Sequence, residues 1–218
     1  MGSAARSSAV CSAAMSKVPA IGVELREPFD RFVELLAVAT DVGPERLPEP
    51  TAFALATVGA DGQPSVRILL LKLVDVRGFA FYTNYESRKG EELISHPQAA
   101  MCFHWQPLER QVRVEGLAEK VSAEEADAYF ASRPRESQLG AWASRQSRPL
   151  EHPGALDERY REFESRFANG PVPRPPHWSG FRIVPKRIEF WHQGPSRLHD
   201  RLVYTREGDG WRTEVLYP

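Results

Sequence analysis

Basic and amide side chains recur in this chain at spacings that suit an anion and a flat heterocycle. The densest run is Tyr82-Thr83-Asn84-Tyr85-Glu86-Ser87-Arg88-Lys89. Ser87 fits an N-cap, so a helix starting there points free N–H groups and its positive dipole end outward, where Arg88 and Lys89 add full charges. That is phosphate-binding chemistry, although on this segment alone a capped surface helix with solvated basic residues is the simpler reading. Arg67 and Lys72 bracket the apolar Ile68-Leu69-Leu70-Leu71. Strict strand alternation sends them to opposite faces, each to a different ligand; equally, they mark the ends of a buried strand whose long side chains reach water. Glu109-Arg110-Gln111-Val112-Arg113-Val114-Glu115-Gly116 alternates as a half-exposed strand does, and cross-strand charge pairing accounts for most of it. Facing a ligand, the Gln111 amide both donates to and accepts from a heteroaromatic edge. Gln146-Ser147 reads by default as a polar loop. Trp191 followed by Arg197-Leu198-His199-Asp200-Arg201 suits an anionic or π-rich ligand as well as it suits a charged surface turn.

Other chemistries find no support. There is no G-x-G-x-x-G, Walker loop, G-x-S-x-G or paired His/Cys spacing of a zinc site. His96, His104, His152, His177, His192 and His199 are scattered and read as surface or hydrogen-bonded core histidines, which disfavours metal catalysis.

The elements that must position these groups are legible from periodicity. Phe29, Phe32, Val33 and Leu36 recur at helical spacing over 27–42, with Pro28 in the first turn. Past Leu47-Pro48-Glu49-Pro50 come short runs separated by turn residues, predicting strands over 52–58, 65–74, 79–83, 99–105 and 110–120. A helix capped by Ser87 runs to Ser95. Ser122-Ala123-Glu124-Glu125 is a capping box for a helix to about Ser132, a further short helix begins at Pro134, and a charged helix spans 157–167. Strands over 181–184, 187–192, 201–206 and 211–216 complete the chain. No strand alternates with a helix as a parallel sheet requires, so a closed or partly closed antiparallel barrel with peripheral helices is expected.

Bulk properties set the limits. With 28 Lys+Arg against 29 Asp+Glu the formal net charge is −1, so no global field draws the chain to nucleic acid or to an anionic membrane. No run approaches the ~18 apolar residues of a transmembrane helix. Cys11 and Cys102 lie far apart in unlike contexts, which fits a reducing cytoplasm better than a disulfide framework. Met1 to Ser16 is Ala/Ser-rich with one charge, Arg6, and reads as part of a disordered leader, a cloning or a targeting segment over 1–20. One domain is expected over 21–218.

Taken together, Arg67-Ile68-Leu69-Leu70-Leu71-Lys72, Phe81-Tyr82-Thr83-Asn84, Ser87-Arg88-Lys89, Glu109-Arg110-Gln111-Val112, Ser132-Arg133-Pro134-Arg135-Glu136-Ser137-Gln138, Arg145-Gln146-Ser147, Ile188-Glu189-Phe190-Trp191 and Arg197-Leu198-His199-Asp200-Arg201 resemble the pyridoxine (pyridoxamine) 5′-phosphate oxidase family in order and spacing. The resemblance runs from about residue 27 to 218. It implies a mainly β (α+β) fold, the FMN-binding split β-barrel of antiparallel strands with peripheral helices, working as a homodimer whose FMN sites lie at the interface. It implies FMN-dependent oxidation of pyridoxine and pyridoxamine 5′-phosphates to pyridoxal 5′-phosphate by O2, with hydride transfer from C4′ to flavin N5. A phenazine-biosynthesis flavin oxidase on the same barrel, or a non-catalytic flavin- or pyridoxal-phosphate-binding protein, is the alternative.

Carried over position by position, the resemblance assigns FMN to Arg67, Ile68, Lys72, Tyr82, Thr83, Arg88, Lys89, Gln111, Gln146, Ser147, Trp191 and Arg201. It assigns the substrate phosphate to Lys72, Tyr129, Arg133 and Ser137. Arg197 and His199, as catalytic residues, would lie over the pyridine ring and favour its ionised phenolic oxygen. In one respect the chain departs from the pattern. Many family members carry an Arg and a Tyr in an N-terminal arm that folds over the substrate, but the first tyrosine here is Tyr82, and Arg26 is the only basic candidate close to the first helix.

Overall fold

The computed structural model describes residues 26–218; the leader expected over 1–20, with Cys11, lies outside them. In chain order the elements are α1 (Glu27–Asp41), β1 (Ala52–Val58), β2 (Pro64–Leu70), β3 (Leu73–Asp75), β4 (Gly78–Asn84), α2 (Arg88–Ser95), β5 (Gln98–Trp105), β6 (Arg110–Lys120), α3 (Ala123–Ser132), α4 (Arg135–Ala143), α5 (Ala155–Arg166), β7 (Trp178–His192), β8 (Asp200–Glu207) and β9 (Gly210–Val215). The strands form one antiparallel sheet of order β2-β1-β5-β6-β7-β4-β3, with β8 pairing β7 and β9 pairing β8.

The connection between β2 and β3 dictates the shape. These strands end opposite sides of the hydrogen-bonded order, yet only Leu71 and Lys72 separate them in the chain. Two residues span well under 10 Å, so the sheet must curl until its edges meet. At that seam the Leu71 N–H donates to the Thr51 carbonyl and the Lys72 N–H to the Ala80 carbonyl, both at 2.9 Å. The single strand predicted over 65–74 is therefore two strands. The chain has to cross from one edge of the curl to the other, and the break falls where it crosses.

The curl closes on aromatic side chains. Phe53, Phe79, Phe81, Phe103 and Trp105 line its interior, and Phe32 of α1 plugs it, with ring centroids 4.9 Å from both Phe79 and Phe103. Burying each such ring contributes about 1.5–3 kcal/mol.

β7 is one strand where two were predicted. Its 178–183 portion pairs with β4 and its 187–192 portion with β8, while β6 runs along its other edge. Pro185, which has no N–H to donate, falls between the two runs. At the same level β6 shifts register between Glu115 and Gly116, where a Cβ on Gly116 would sit 2.1 Å from the Val184 carbonyl oxygen. Only glycine permits that approach.

Helices α3 to α5 build a second, smaller core around Phe130, Leu139, Ala143, Phe163 and Trp178. The capping box of Ser122 and Glu125 forms as predicted. Glu125 also closes a ring of ion pairs with Arg182, Asp75 and Arg77, at 2.7–3.0 Å, that ties α3 to β3 and β7. This ring fixes where α3 presents its side chains to the seam.

Candidate functional site

A cavity of about 1150 Å3 opens beside the seam, walled by β2, Lys72, the end of β4, the first turn of α2, α3, α4, the loop at 144–147 and Trp178. Of the cofactor positions implied by sequence, Arg67, Ile68, Lys72, Tyr82, Thr83, Arg88, Lys89, Gln146 and Ser147 line it; so do the substrate positions Tyr129, Arg133 and Ser137. Arg67 and Lys72, which strict alternation sends to opposite faces, share this cavity. Lys72 lies past the end of β2, so alternation does not govern it.

One group of cations gathers at α2. Ser87 caps the helix, its Oγ accepting from the Gly90 N–H at 3.3 Å. A Cβ at Gly90 would lie 2.4 Å from the Tyr85 carbonyl oxygen, so glycine lets the helix start against the end of β4. Arg67 reaches in from β2. Its Nη1 donates to the Leu55 carbonyl at 3.2 Å and to Thr57 Oγ1 at 2.5 Å, and its Nη2 to Ser65 Oγ at 2.5 Å and Glu92 Oε2 at 3.2 Å. Glu92 also accepts from Arg88 Nε at 2.9 Å. Burial would raise the Glu92 carboxyl, but hydrogen bonds from Thr57, Ser65 and Arg88 and the charge of Arg67 overcome it and hold the pKa at about 2.

Lys89 is buried without such a counter-ion. Its Nζ donates to Gln146 Oε1 at 2.8 Å and to Ser87 Oγ at 3.1 Å. Burial, then repulsion from Arg67, brings its pKa down to about 8. The loop carrying Gln146 and Ser147 is held down by Arg148, which donates to the Glu86 carbonyl at 3.2 Å and pairs with Glu91.

The α3–α4 side is aromatic. Tyr129 stacks on Tyr82 with centroids 4.0 Å apart, and both rings lie parallel to Trp178 within 8°. The Arg133 guanidinium sits 4.7 Å from the Trp178 centroid and 5.8 Å from that of Phe130. Its Nη1 is buried and has no hydrogen-bond partner.

Five predicted positions do not reach this cavity in the single chain. Gln111, Trp191 and Arg201 form one row across β6, β7 and β8, each directly opposite the next. The His199 ring lies 4.6 Å from Trp191, and Arg197 follows in the same turn at φ 65°, in the left-handed region. His199 Nδ1 accepts from the Gly194 N–H at 3.2 Å, which leaves the neutral ring's proton on Nε2 as a donor. Arg201 is held by Glu189, Nε to Oε1 at 2.8 Å. Glu189 is 1% exposed and also pairs with Arg113 and Arg187. Arg26, the sequence candidate for the arm, pairs with Asp30 at 3.7 Å at the start of α1.

Three residues of the site escape the sequence reading. Glu92 carried a signal, its i,i+4 spacing from Arg88 on a predicted helix. Glu189 showed one too, a carboxylate between Ile188 and Phe190 in a strand. Trp178, next to the proline-rich 171–176, had none. Among the described residues no cluster of three metal-ligating side chains occurs, and no helix is long and apolar enough to cross a membrane.

Comparison with known proteins finds two family models that match the chain. Residues 41–165 match "Pyridoxamine 5′-phosphate oxidase", and 178–218 match "Pyridoxine 5′-phosphate oxidase C-terminal dimerisation region". The chain is 59% identical over 197 residues to a pyridoxine/pyridoxamine 5′-phosphate oxidase of Myxococcus xanthus, covering 88% of this chain and 92% of that one. It is 58% identical over 195 residues to the like-named protein of Brucella canis, covering 88% and 94%. Among solved structures, PhzG from Burkholderia lata in complex with tetrahydrophenazine-1-carboxylic acid superposes with a TM-score of 0.80 at 33% identity, covering 90% of this chain and 94% of that one. A pyridoxamine 5′-phosphate oxidase-related, FMN-binding protein from Nostoc punctiforme shares the fold, with a TM-score of 0.67 at 18% identity over 87% and 96%.

Proposed function

Because the chain belongs to the pyridoxamine 5′-phosphate oxidase family, we propose that it is the FMN-dependent oxidase that converts pyridoxine and pyridoxamine 5′-phosphates to pyridoxal 5′-phosphate. The alcohol and O2 give the aldehyde and H2O2; the amine, O2 and water give the aldehyde, ammonia and H2O2. FMN, when bound, supplies the two-electron acceptor that O2 regenerates. The observation that carries this reading is that one cavity is lined by Arg67, Arg88 and Lys89 around α2 and by Arg133 on the α3–α4 side, as two phosphorylated ligands require.

The donor set fits FMN. Arg67, Arg88 and Lys89 meet a dianionic phosphate at a helix N-terminus, and Lys89, buried with no carboxylate hydrogen-bonded to it, gains the counter-charge it lacks. Ile68, Lys72, Tyr82, Thr83, Gln146 and Ser147 line the remaining wall on that reading, and Gln111, Trp191 and Arg201 complete it around the flavin. For the substrate, Lys72, Tyr129, Arg133 and Ser137 would take the phosphate, with the free Nη1 of Arg133 as a ready donor. Arg197 and the Nε2 proton of His199 would hold the phenolic oxygen ionised, favouring departure of the electron pair from C4′.

The dimerisation region matched over 178–218 carries Trp191, Arg197, His199 and Arg201 of the second set, with Gln111 facing them from β6, and the family assembles as a homodimer. We place the FMN sites at that interface, the cavity from one protomer and the Gln111, Trp191, Arg197, His199 and Arg201 group from its partner. The strands that contribute to both sets belong to one sheet, which among the described residues supports the single domain expected over 21–218. A reducing, cytoplasmic location fits a sequence that offers no disulfide framework.

The test is anaerobic mixing of the FMN-loaded protein with pyridoxine 5′-phosphate. Bleaching of the flavin absorbance, reversed by air, is expected. A flavin that stays oxidised with the vitamer phosphate but bleaches with a reduced phenazine carboxylate would move the chain to the phenazine-type activity. One that bleaches with neither would make it a binding protein.

A further inference from the structure

The arginines of the cavity are held in two different ways. Arg67 and Arg88 lean on a carboxylate, Glu92, which fixes them but takes up N–H donors and part of their charge. Arg133 has no carboxylate. Its guanidinium carbon lies over the Trp178 ring, 4.7 Å from the centroid, and 5.8 Å from that of Phe130, while its Nη1 is buried and donates to nothing. A π-face binds a guanidinium without consuming an N–H, since the donors lie in the plane and point away from the ring. A buried donor without an acceptor is costly on its own, so something must hold it there until a ligand arrives.

Trp178 is built for that. It is 7% exposed, sits in the small core with Phe130, and lies parallel to Tyr129, itself stacked on Tyr82. The indole thus touches both Arg133 and Tyr129, two of the groups proposed for the substrate phosphate, and Tyr82 from the flavin set.

We propose that Trp178 is a positioning residue for the substrate phosphate, holding the Arg133 guanidinium by its face so that its edge stays uncommitted, and keeping the Tyr129 ring in register with it. This rests on the oxidase reading above. A carboxylate in the place of Trp178 would hold Arg133 as firmly and spend the donors that the ligand needs. Substrate affinity is therefore set by a residue whose side chain has no charge of its own.

The experiment is a double-mutant cycle on the FMN-loaded enzyme with Arg133→Ala, Trp178→Leu and the double variant, alongside Trp178→Phe. KM for pyridoxine 5′-phosphate, kcat and FMN dissociation are measured for each. Trp178→Leu is expected to raise KM at least tenfold, with the loss falling on KM rather than on kcat or on bound flavin. Trp178→Phe, which keeps a π-face, restores most of it. In the double variant the KM should be no higher than in Arg133→Ala alone, because both changes remove the same interaction. Additive KM effects, or equal losses in Trp178→Phe and Trp178→Leu, overturn the proposal. If Trp178→Leu does not fold, Trp178→Met, which also lacks a π-face but keeps more of the side-chain volume, gives the same cycle with and without Arg133→Ala. Should Arg133→Ala itself leave KM unchanged, the assignment of the substrate phosphate fails instead, which separates the two outcomes.

Discussion

Lys89 and Gln146 meet ammonium to amide oxygen at 2.8 Å, across the 57 residues that separate α2 from the loop after α4. The contact gives a buried cation a dipole in place of a counter-ion. In the ligand-free protein the ammonium gives up its proton as the pH rises through about 8, whereas an adjacent phosphate dianion keeps it protonated. FMN affinity should therefore fall roughly tenfold between pH 7 and pH 9. Folding stability moves the other way. The unfolded lysine holds its proton to about 10.5, so between 8 and 10.5 the unfolded state binds more protons, and this group's contribution to stability rises with pH. Titrating the apoprotein with FMN across that range checks it; an equally steep profile in Lys89→Met would exonerate the lysine.

Arg67 uses both ends of its guanidinium, toward four acceptors on β1, β2 and α2. A lysine cannot reproduce that fork. Arg67→Lys, though it conserves charge, should weaken FMN binding at least tenfold, on the order of 1.5–3 kcal/mol for a charge-assisted bond, and leave riboflavin binding nearly unchanged. Fluorescence titrations with the two flavins decide the matter, since equal losses for both would point to a general collapse of the pocket.

Glu189 holds three guanidiniums from a position 1% exposed. Burial would raise its carboxyl, but the hydrogen bond and charge of Arg201 and the charges of Arg113 and Arg187 hold it below the usual range. Its folded pKa is thus below the unfolded value near 4.5, and its stabilisation is present above that value and lost as the pH drops through the folded one. Glu189→Gln should cost about 3 kcal/mol at pH 7 and flatten this acid limb. Thermal unfolding from pH 3 to 7 measures both effects; an unchanged limb would show that other carboxylates govern it.

The two residue sets predict complementation between subunits. Arg133→Ala removes the cavity's contribution and Arg197→Ala the other's. If one site takes Arg133 from one protomer and Arg197 from its partner, a heterodimer of the two variants carries one intact site. Equal co-expression with random pairing should then recover about a quarter of wild-type activity. No recovery in isolated heterodimers would put both residues in the same chain's site.

Strand periodicity located most elements within a residue or two, because alternation reports local burial directly. It failed at 65–74 and at 181–192, both places where the partner strand changes. An edge crossing at Leu71–Lys72 and a partner switch at Pro185 are properties of the whole sheet, and nothing in the flanking residues encodes them. The site behaved in the same way. Arg88 and Lys89 are neighbours in sequence and were legible as a pair, whereas Trp178 meets Arg133 only because β7 and α3 are packed together. The separation of Arg197 and His199 from the cavity follows from the position of β8 beyond β7, on the far side of the path from β2.

The seam between β2 and β3 has a consequence for how the molecule comes apart. A fully closed barrel would carry a continuous ladder there, but here the chain itself joins the edges, with the Leu71 amide bonded to Thr51 on the β1 side and the Lys72 amide to Ala80 on β4. Sub-global opening begins where few hydrogen bonds resist it. A ligand gripping Arg67 on one edge and Tyr82 and Thr83 on the other would act as rungs in that gap, so cofactor release and local unfolding become one event. Amide hydrogen exchange at Leu71 and Lys72 should accordingly slow with FMN concentration, making the flavin part of the tertiary structure as much as of the chemistry.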